Sequence, residues 1–206
     1  MDNISVIVVG AFHEIIELLE ENQISIKGLI DNNLTGYYRD YPILGTDSIA
    51  MNLDNSIPII ITPDIPKIRE KLVSYYSTLG YKYQLLISKQ AKISKSAKIG
   101  DGTIVQYGVN ISSEVIIGKF VKCNTLSNVM HNSKIGDYTT IAPNAVILGN
   151  VSIGERCYIG ANATILPNIM IGDDVTIGAG SVITKDVGAG KTVYGVPGKE
   201  KITNKF

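Results

Sequence analysis

From Ile87 onward, every sixth residue of the chain is aliphatic. The series runs Ile87, Ile93, Ile99, Val105, Ile111, Ile117, Cys123, Val129 and Ile135, then Ile141, Ile147, Ile153, Ile159, Ile165, Ile171, Ile177 and Ile183. Only Cys123 departs from Ile or Val, and no insertion breaks the step. The next residue is often glycine, as at Gly100, Gly118, Gly136, Gly154, Gly160, Gly172 and Gly178. Four places after the aliphatic comes a small or β-branched side chain, for example Ala97, Thr103, Val109, Ser133, Ala145, Ala163 and Ser181. The apolar period is neither the 3.5 nor the 3.6 of a helix. It is the period of a parallel β-helix, in which three hexads close one triangular coil and the aliphatic column fills the interior. Glycine then serves the corners. Asp101, Lys119, Asp137, Glu155 and Asp173, two places past the column, face outward near them. The stretch from about 91 to 184 allows roughly five coils.

The first eighty residues follow other rules. ISVIVVG reads as a buried strand ending in glycine, and FHEIIELLEEN as a helix with Ile15, Ile16, Leu18 and Leu19 on its apolar face. KGLIDNN and SIPIIITP are further strands, and DIPKIREKLVSYYSTLG is a second helix stopped by Gly80. Strand–helix–strand order predicts a small parallel α/β domain, where ligands bind beyond the carboxyl ends of the strands. The boundary falls near Leu85–Gln90 without a flexible linker, so the two parts should pack rigidly.

Composition narrows the function. Lys+Arg and Asp+Glu balance at 19 each in 206 residues, which supplies no basic field for a nucleic acid. No apolar run approaches a membrane span, and the N-terminus lacks the basic region of a signal peptide. Two cysteines and two histidines make neither a disulfide framework nor a metal site. The expectation is a cytoplasmic, metal-free protein.

His131, in SNVMHNSKIGDY, is the only histidine of the repeat region and falls in the outward-facing class. Either it is a solvated corner residue or its neutral imidazole serves as a general base, its unperturbed pKa lying near working pH. Gly149, Ala161 and Ala179 leave backbone amides open to a ligand lying along the coils, though small residues also suit tight corners.

Taken together, the segments GAFHE, GLIDNN with PILG after it, HNSKIGD, PNAVILG and GVPGK resemble, in order and over nearly the whole length, the hexapeptide-repeat sugar O- and N-acetyltransferases of the NeuD/PglD type. The resemblance implies a Rossmann-like α/β subdomain (residues 1–86) that binds the acceptor. A left-handed parallel β-helix (87–206) would follow and hold acetyl-CoA and the catalytic machinery. It implies His131 as general base, with Asn132 standing where the family has an acid. Asn supplies no charge, so the base should be weaker unless another carboxylate such as Asp137 helps. Thr140, which replaces a second histidine, and Gly149, Ala161 and Ala179 fall at acetyl-CoA positions. Asn144 and Gly198 depart from the family's Gly and Ala. In the first domain Gly10, Ala11, Phe12, Asp31, Asn32 and Thr62 match acceptor-binding positions. Phe12 stands in place of a glycine, which leaves less room for a backbone cradle around phosphate; His13 belongs to the turn.

The implied activity is acetyl-CoA-dependent acetylation of an amino sugar, most simply a nucleotide-linked one, in surface-glycan synthesis by a homotrimer. The thioester is attacked directly, while a backbone N–H holds the oxyanion. Two alternatives stay open: O-acetylation of a free sugar such as sialic acid, and a non-catalytic β-helix acting as a binding or scaffold subunit.

Overall fold

The structure is a computed structural model that describes residues 4–201; the residues at either end of the two segments named above, 1–3 and 202–206, lie outside it. It opens with β1 (Ser5–Val9), α1 (His13–Glu21), β2 (Ser25–Ile30), β3 (Tyr37–Tyr38), β4 (Tyr41–Gly45), a 3₁₀ turn at Asp47–Asn52, β5 (Ile59–Ile61) and α2 (Pro66–Thr78). The sheet order is β3-β4-β2-β1-β5, parallel except for the β3–β4 hairpin. Ile15, Ile16, Leu18 and Leu19 of α1 are buried against the sheet. Gly80, at φ +82°, ends the segment after α2. The β3–β4 hairpin has no counterpart in the hydrophobic pattern: β3 is two residues long, and Pro42 breaks the apolar run of β4.

From Leu86–Ile87 the chain winds as two-residue strands, three to a coil, each paired in parallel with the strand one coil on, as Lys122 pairs with Thr140 and Cys123 with Ile141. Three flat sheets result, forming five full coils and part of a sixth among the described residues. The six-step column is the interior: Val105, Cys123, Val129, Ile141, Ile147, Ile159 and Ile165 are completely shielded from solvent. The hairpin of Thr192–Tyr194 with Lys199–Glu200 closes the last coil.

The glycines work differently from a simple corner role. The glycine after the column does not adopt a left-handed backbone. That conformation falls two places later, at Glu114, Phe120, Leu126, Asn132, Tyr138, Asn144, Asn150, Arg156, Asn162, Asn168 and Asp174, with φ between 54° and 63°. Asparagine recurs there because its short polar side chain tolerates αL. The column glycines instead admit the next coil: a Cβ at Gly136 would lie 2.4 Å from the Gly154 carbonyl carbon.

The α/β domain sits on the lower coils of the sheet containing Leu86, Ile104, Lys122 and Thr140. Leu86 and Ile104 join its core beside Val6, Val8 and Ile16. Phe120 and Tyr138 stack at 5.4 Å and pack with Tyr83 against α2.

Candidate functional site

His131 occupies the corner after the strand Asn128–Val129, and its side chain is exposed. The coil above holds the backbone, with Asn150 N–H donating to the His131 carbonyl at 2.9 Å; below, Asn132 N–H donates to Ser113 O at 3.0 Å. The imidazole lies across Gly149. A Cβ there would come within 2.5 Å of Cε1 and 2.6 Å of Nε2, so glycine is what lets the ring lie flat on the next coil. The Gly149 N–H donates to no acceptor among the described residues. Asn132 places Nδ2 3.4 Å from Nδ1 of His131. Asn132 also has a backbone reason to be there, since it holds one of the left-handed positions. Asp137 does not assist His131. It lies at the next corner, where its carboxylate accepts the Lys119 N–H at 2.8 Å.

Ala161 and Ala179 stack on the corner preceding that of His131, joined by Gly180 N–H to Ala161 O at 2.8 Å. Their own N–H groups, like that of Gly149, have no acceptor among the described residues. Asn128, Val146, Thr164 and Val182, all half-buried, pave the face between the two corners. Thr140 departs from its expected place at the acyl donor. It is fully buried beneath the α/β domain, its hydroxyl donating to Asp64 O and accepting from Arg69 Nη2. The hydroxyl proton is engaged there, and burial closes the group to a ligand.

In the α/β domain a cleft of about 210 Å³ opens at the carboxyl ends of β1 and β2, lined by Gly10, Asp31, Asn32, Asp47, Ile68 and Leu72 among others. It continues as a more apolar recess of about 380 Å³ along Ile68, Leu72 and Tyr75. The Asp31 carboxylate accepts Ala11 N–H at 3.0 Å and Asn33 N–H at 2.9 Å. Asn32 reaches across to Asp47, donating to its carboxylate at 2.7 Å and accepting its N–H at 3.0 Å. Thr62 is buried, donating to Val9 O and Gly10 O, so it holds the β1 turn from beneath and does not face the cleft. Gly10 is left-handed (φ +90°), and a Cβ on it would strike the Thr62 hydroxyl at 2.6 Å. Phe12 turns to the other domain, its ring 4.1 Å beneath Lys122 Nζ.

A polar cluster between the domains escapes sequence reasoning. Arg69, 1% exposed, donates to the carbonyls of Pro63, Asp64, Phe120, Tyr138 and Thr139 and to Thr140 Oγ1. Burial pulls its guanidinium down to about 10, against the opposing pull of Asp64. Lys122, wholly buried, meets Thr62 O and the Asp64 carboxylate at 2.9 Å each. Burial lowers its pKa, and Asp64 opposes that shift. Lysines also precede the column at positions 92, 98 and 134, where they are exposed, so nothing in the pattern marks Lys122. Among the described residues no group of three or more His, Cys, Asp or Glu is placed to hold a metal. No helix there is long and apolar enough to cross a membrane.

Comparison with known proteins places this arrangement. The family model for the bacterial transferase hexapeptide (six repeats) matches residues 150–185. The acetyltransferase domain of PglB from Neisseria gonorrhoeae FA1090 superposes with a TM-score of 0.92 at 30% identity, covering 97% of this chain and 100% of that one. PerB from Caulobacter crescentus, solved with CoA and GDP-perosamine, superposes with a TM-score of 0.91 at 27% identity over 96% and 97% of the two chains. The GDP-perosamine N-acetyltransferase of Escherichia coli O157:H7 is 47% identical over 47 residues, which is 23% of this chain and 21% of that protein. The match thus spans about a fifth of the length of that curated relative. The chain belongs to the hexapeptide-repeat sugar acetyltransferases, with an α/β domain followed by a left-handed β-helix.

Proposed function

We propose that this chain transfers the acetyl group of acetyl-CoA to the amine of a nucleotide-linked amino sugar. One observation carries the reading: an exposed imidazole, His131, held across a glycine whose N–H is free of any acceptor among the described residues. A base and an oxyanion donor thereby stand side by side. The acceptor amine attacks the thioester carbonyl, and His131 takes the proton that nitrogen sheds. Gly149 N–H holds the oxygen as it gains charge. The carbon–sulfur bond then breaks, and the thiolate recovers the proton from His131. The Asn132 amide stands 3.4 Å from the imidazole Nδ1. The unmatched amides of Ala161 and Ala179 suit the amide-rich arm of CoA, and Gly10, Asp31 and Asn32 line the acceptor's cleft. The residues divide accordingly, 1–86 for the acceptor and 87–206 for the donor. PerB, solved with CoA and GDP-perosamine, supports this choice of substrates.

His131 stands open on a single chain, and a neighbouring β-helix closing over it would complete the site, so the working form is a homotrimer. Acetyl-CoA and sugar nucleotides are both cytoplasmic metabolites, and the reaction belongs there. A free-sugar acceptor has one observation in its favour: Asp31 already occupies the Ala11 N–H that a diphosphate would use.

The test is release of CoA thiol from acetyl-CoA with UDP-, dTDP- and GDP-linked amino sugars and free sialic acid. Turnover with an amino-sugar nucleotide, falling about 10²–10⁴-fold in His131→Ala, is the expected result. Turnover with sialic acid alone overturns the acceptor, and no turnover with no acetyl-CoA binding overturns the enzyme.

A further inference from the structure

We infer that Asp47 makes guanosine diphosphate the nucleotide that this cleft selects. The inference rests on the reading of the cleft as the acceptor's nucleotide site.

Asp47 follows β4 and is half-buried where the polar cleft meets the apolar recess, lining both. Its carboxylate is held from two sides. Tyr76 O–H donates to Oδ1 at 2.8 Å, and Asn32 Nδ2–H donates to Oδ2 at 2.7 Å. Its backbone is fixed as well, with Asp47 N–H on Asn32 Oδ1 at 3.0 Å and Tyr75 O–H on Asp47 O at 3.2 Å. A carboxylate offers about four acceptor sites. One bond to each oxygen therefore leaves each with a free lone pair, on a group that cannot rotate. Ile68 and Leu72, one helical turn apart on α2, line both the cleft and the recess with Asp47, and Ile68 is 45% exposed. The recess thus has an apolar wall for a flat ring and, at Asp47, a rigid edge that only accepts; the Lys71 side chain also lines it.

Each base presents a different edge to such an acceptor. Guanine offers N1–H and the 2-amino N–H side by side, a match for two carboxylate oxygens in the manner of a bidentate pair. Uracil and thymine offer one N–H between two carbonyls, so a carbonyl oxygen would face a carboxylate oxygen. Adenine and cytosine set an amino group beside a ring nitrogen lone pair, which is repelled in the same way. The nearby Asp31 carboxylate, whose oxygens accept the Ala11 and Asn33 N–H groups, lines the polar cleft but not the apolar recess where the ring would lie.

Calorimetric titration of the full chain with GDP, IDP, UDP and dTDP tests this. GDP should bind about ten-fold or more tightly than UDP or dTDP. IDP, which lacks only the 2-amino group, should lose about ten-fold against GDP without any change to the protein. In Asp47→Asn, which offers one acceptor and one donor, the preference for GDP over UDP should shrink to a few-fold, with an unfolding midpoint recorded alongside. UDP or dTDP binding as tightly as GDP, IDP equal to GDP, or no binding by any of the four overturns the inference. Transfer to a UDP-linked amino sugar would sink it and leave the transferase standing. Tight GDP binding without acetyl transfer would do the reverse.

Discussion

The two halves of this chain bury their apolar residues by opposite rules. In the β-helix a residue's surroundings repeat every eighteen positions, so its place in the hexad decides whether it points in or out. In the α/β domain every environment occurs once and is set by partners far away in sequence. The halves meet where the first rule fails. Ile104, Lys122 and Thr140 hold the same outward slot as Ile116 and Met170. The first three are at most 1% exposed, while the last two are 43% and 62% exposed. Repetition therefore defines the solenoid but not which of its three faces another domain will cover. That choice is made by single residues, Arg69 and Lys122 above all.

The strongest way to break the comparison is to remove Arg69. Arg69→Met keeps much of the stem's packing but strips donors from five carbonyls in the two domains. Orphaned buried acceptors should cost on the order of 3–5 kcal/mol, offset in part by the loss of the Arg69–Lys122 repulsion. Because the loss falls on the seam, urea unfolding should split into two transitions, the α/β domain melting first. A single transition with an unchanged midpoint would show that the apolar contacts of Leu86, Ile104 and Phe120 hold the domains together unaided.

The sequence's reach follows the same division. The β-helix, its five coils and its outward corners were readable because a hexad error anywhere would have broken the register of every later strand. β1, α1, β2, β5 and α2 were readable from ordinary periodicity. The β3–β4 hairpin was not, being made of a two-residue strand and one interrupted by Pro42. The site divides in the same way. Gly149 could be singled out by its size, but its packing under His131 depends on two coils being stacked. Resemblance alone puts Thr140 at the acyl donor, where it replaces a second histidine, and nothing local tells that a domain lies on that face. Asp47 and Tyr76 lie in weakly patterned segments, and their contact crosses 29 residues.

The column glycines sharpen the comparison next. Gly136→Ala would drive a Cβ to 2.4 Å from the Gly154 carbonyl carbon, and neither coil can shift without its neighbours. Overpacking of this kind should destabilise by about 1–3 kcal/mol. Gly188, in the last turns, has nothing within 4 Å of a new Cβ and no left-handed backbone. Gly188→Ala should be neutral or stabilising by up to about 1 kcal/mol through unfolded-state entropy. Thermal melts of the two variants side by side decide it, and equal effects would remove close coil approach as the reason for the glycines.

A smaller effect, of opposite sign, should appear at Leu126. Its φ of +60° places a leucine where the solenoid prefers asparagine, and its side chain is 45% exposed. Leu126→Asn should raise stability by about 1 kcal/mol, as the αL cost falls. A loss of stability would mean that Leu126 covers Gly108 to greater benefit than the backbone strain it carries.

The last effect should leave stability nearly untouched and move only chemistry. Asn132→Asp keeps the left-handed corner, since both side chains tolerate it, and exchanges an amide near His131 Nδ1 for a negative charge. An adjacent carboxylate stabilises the imidazolium that forms when the base takes its proton. The sign for catalysis then follows. The base stays protonated to higher pH, and the acid limb of kcat/KM moves upward, while above that limb the deprotonated ring is the stronger base. Both groups are exposed, so added salt should shrink the displacement. Profiles of kcat/KM against pH at low and high salt would show all three features together. An acid limb that stays in place, in a variant that folds and turns over, would mean that the titrating group is not His131. The asparagine at that corner would then be explained by its backbone angle alone.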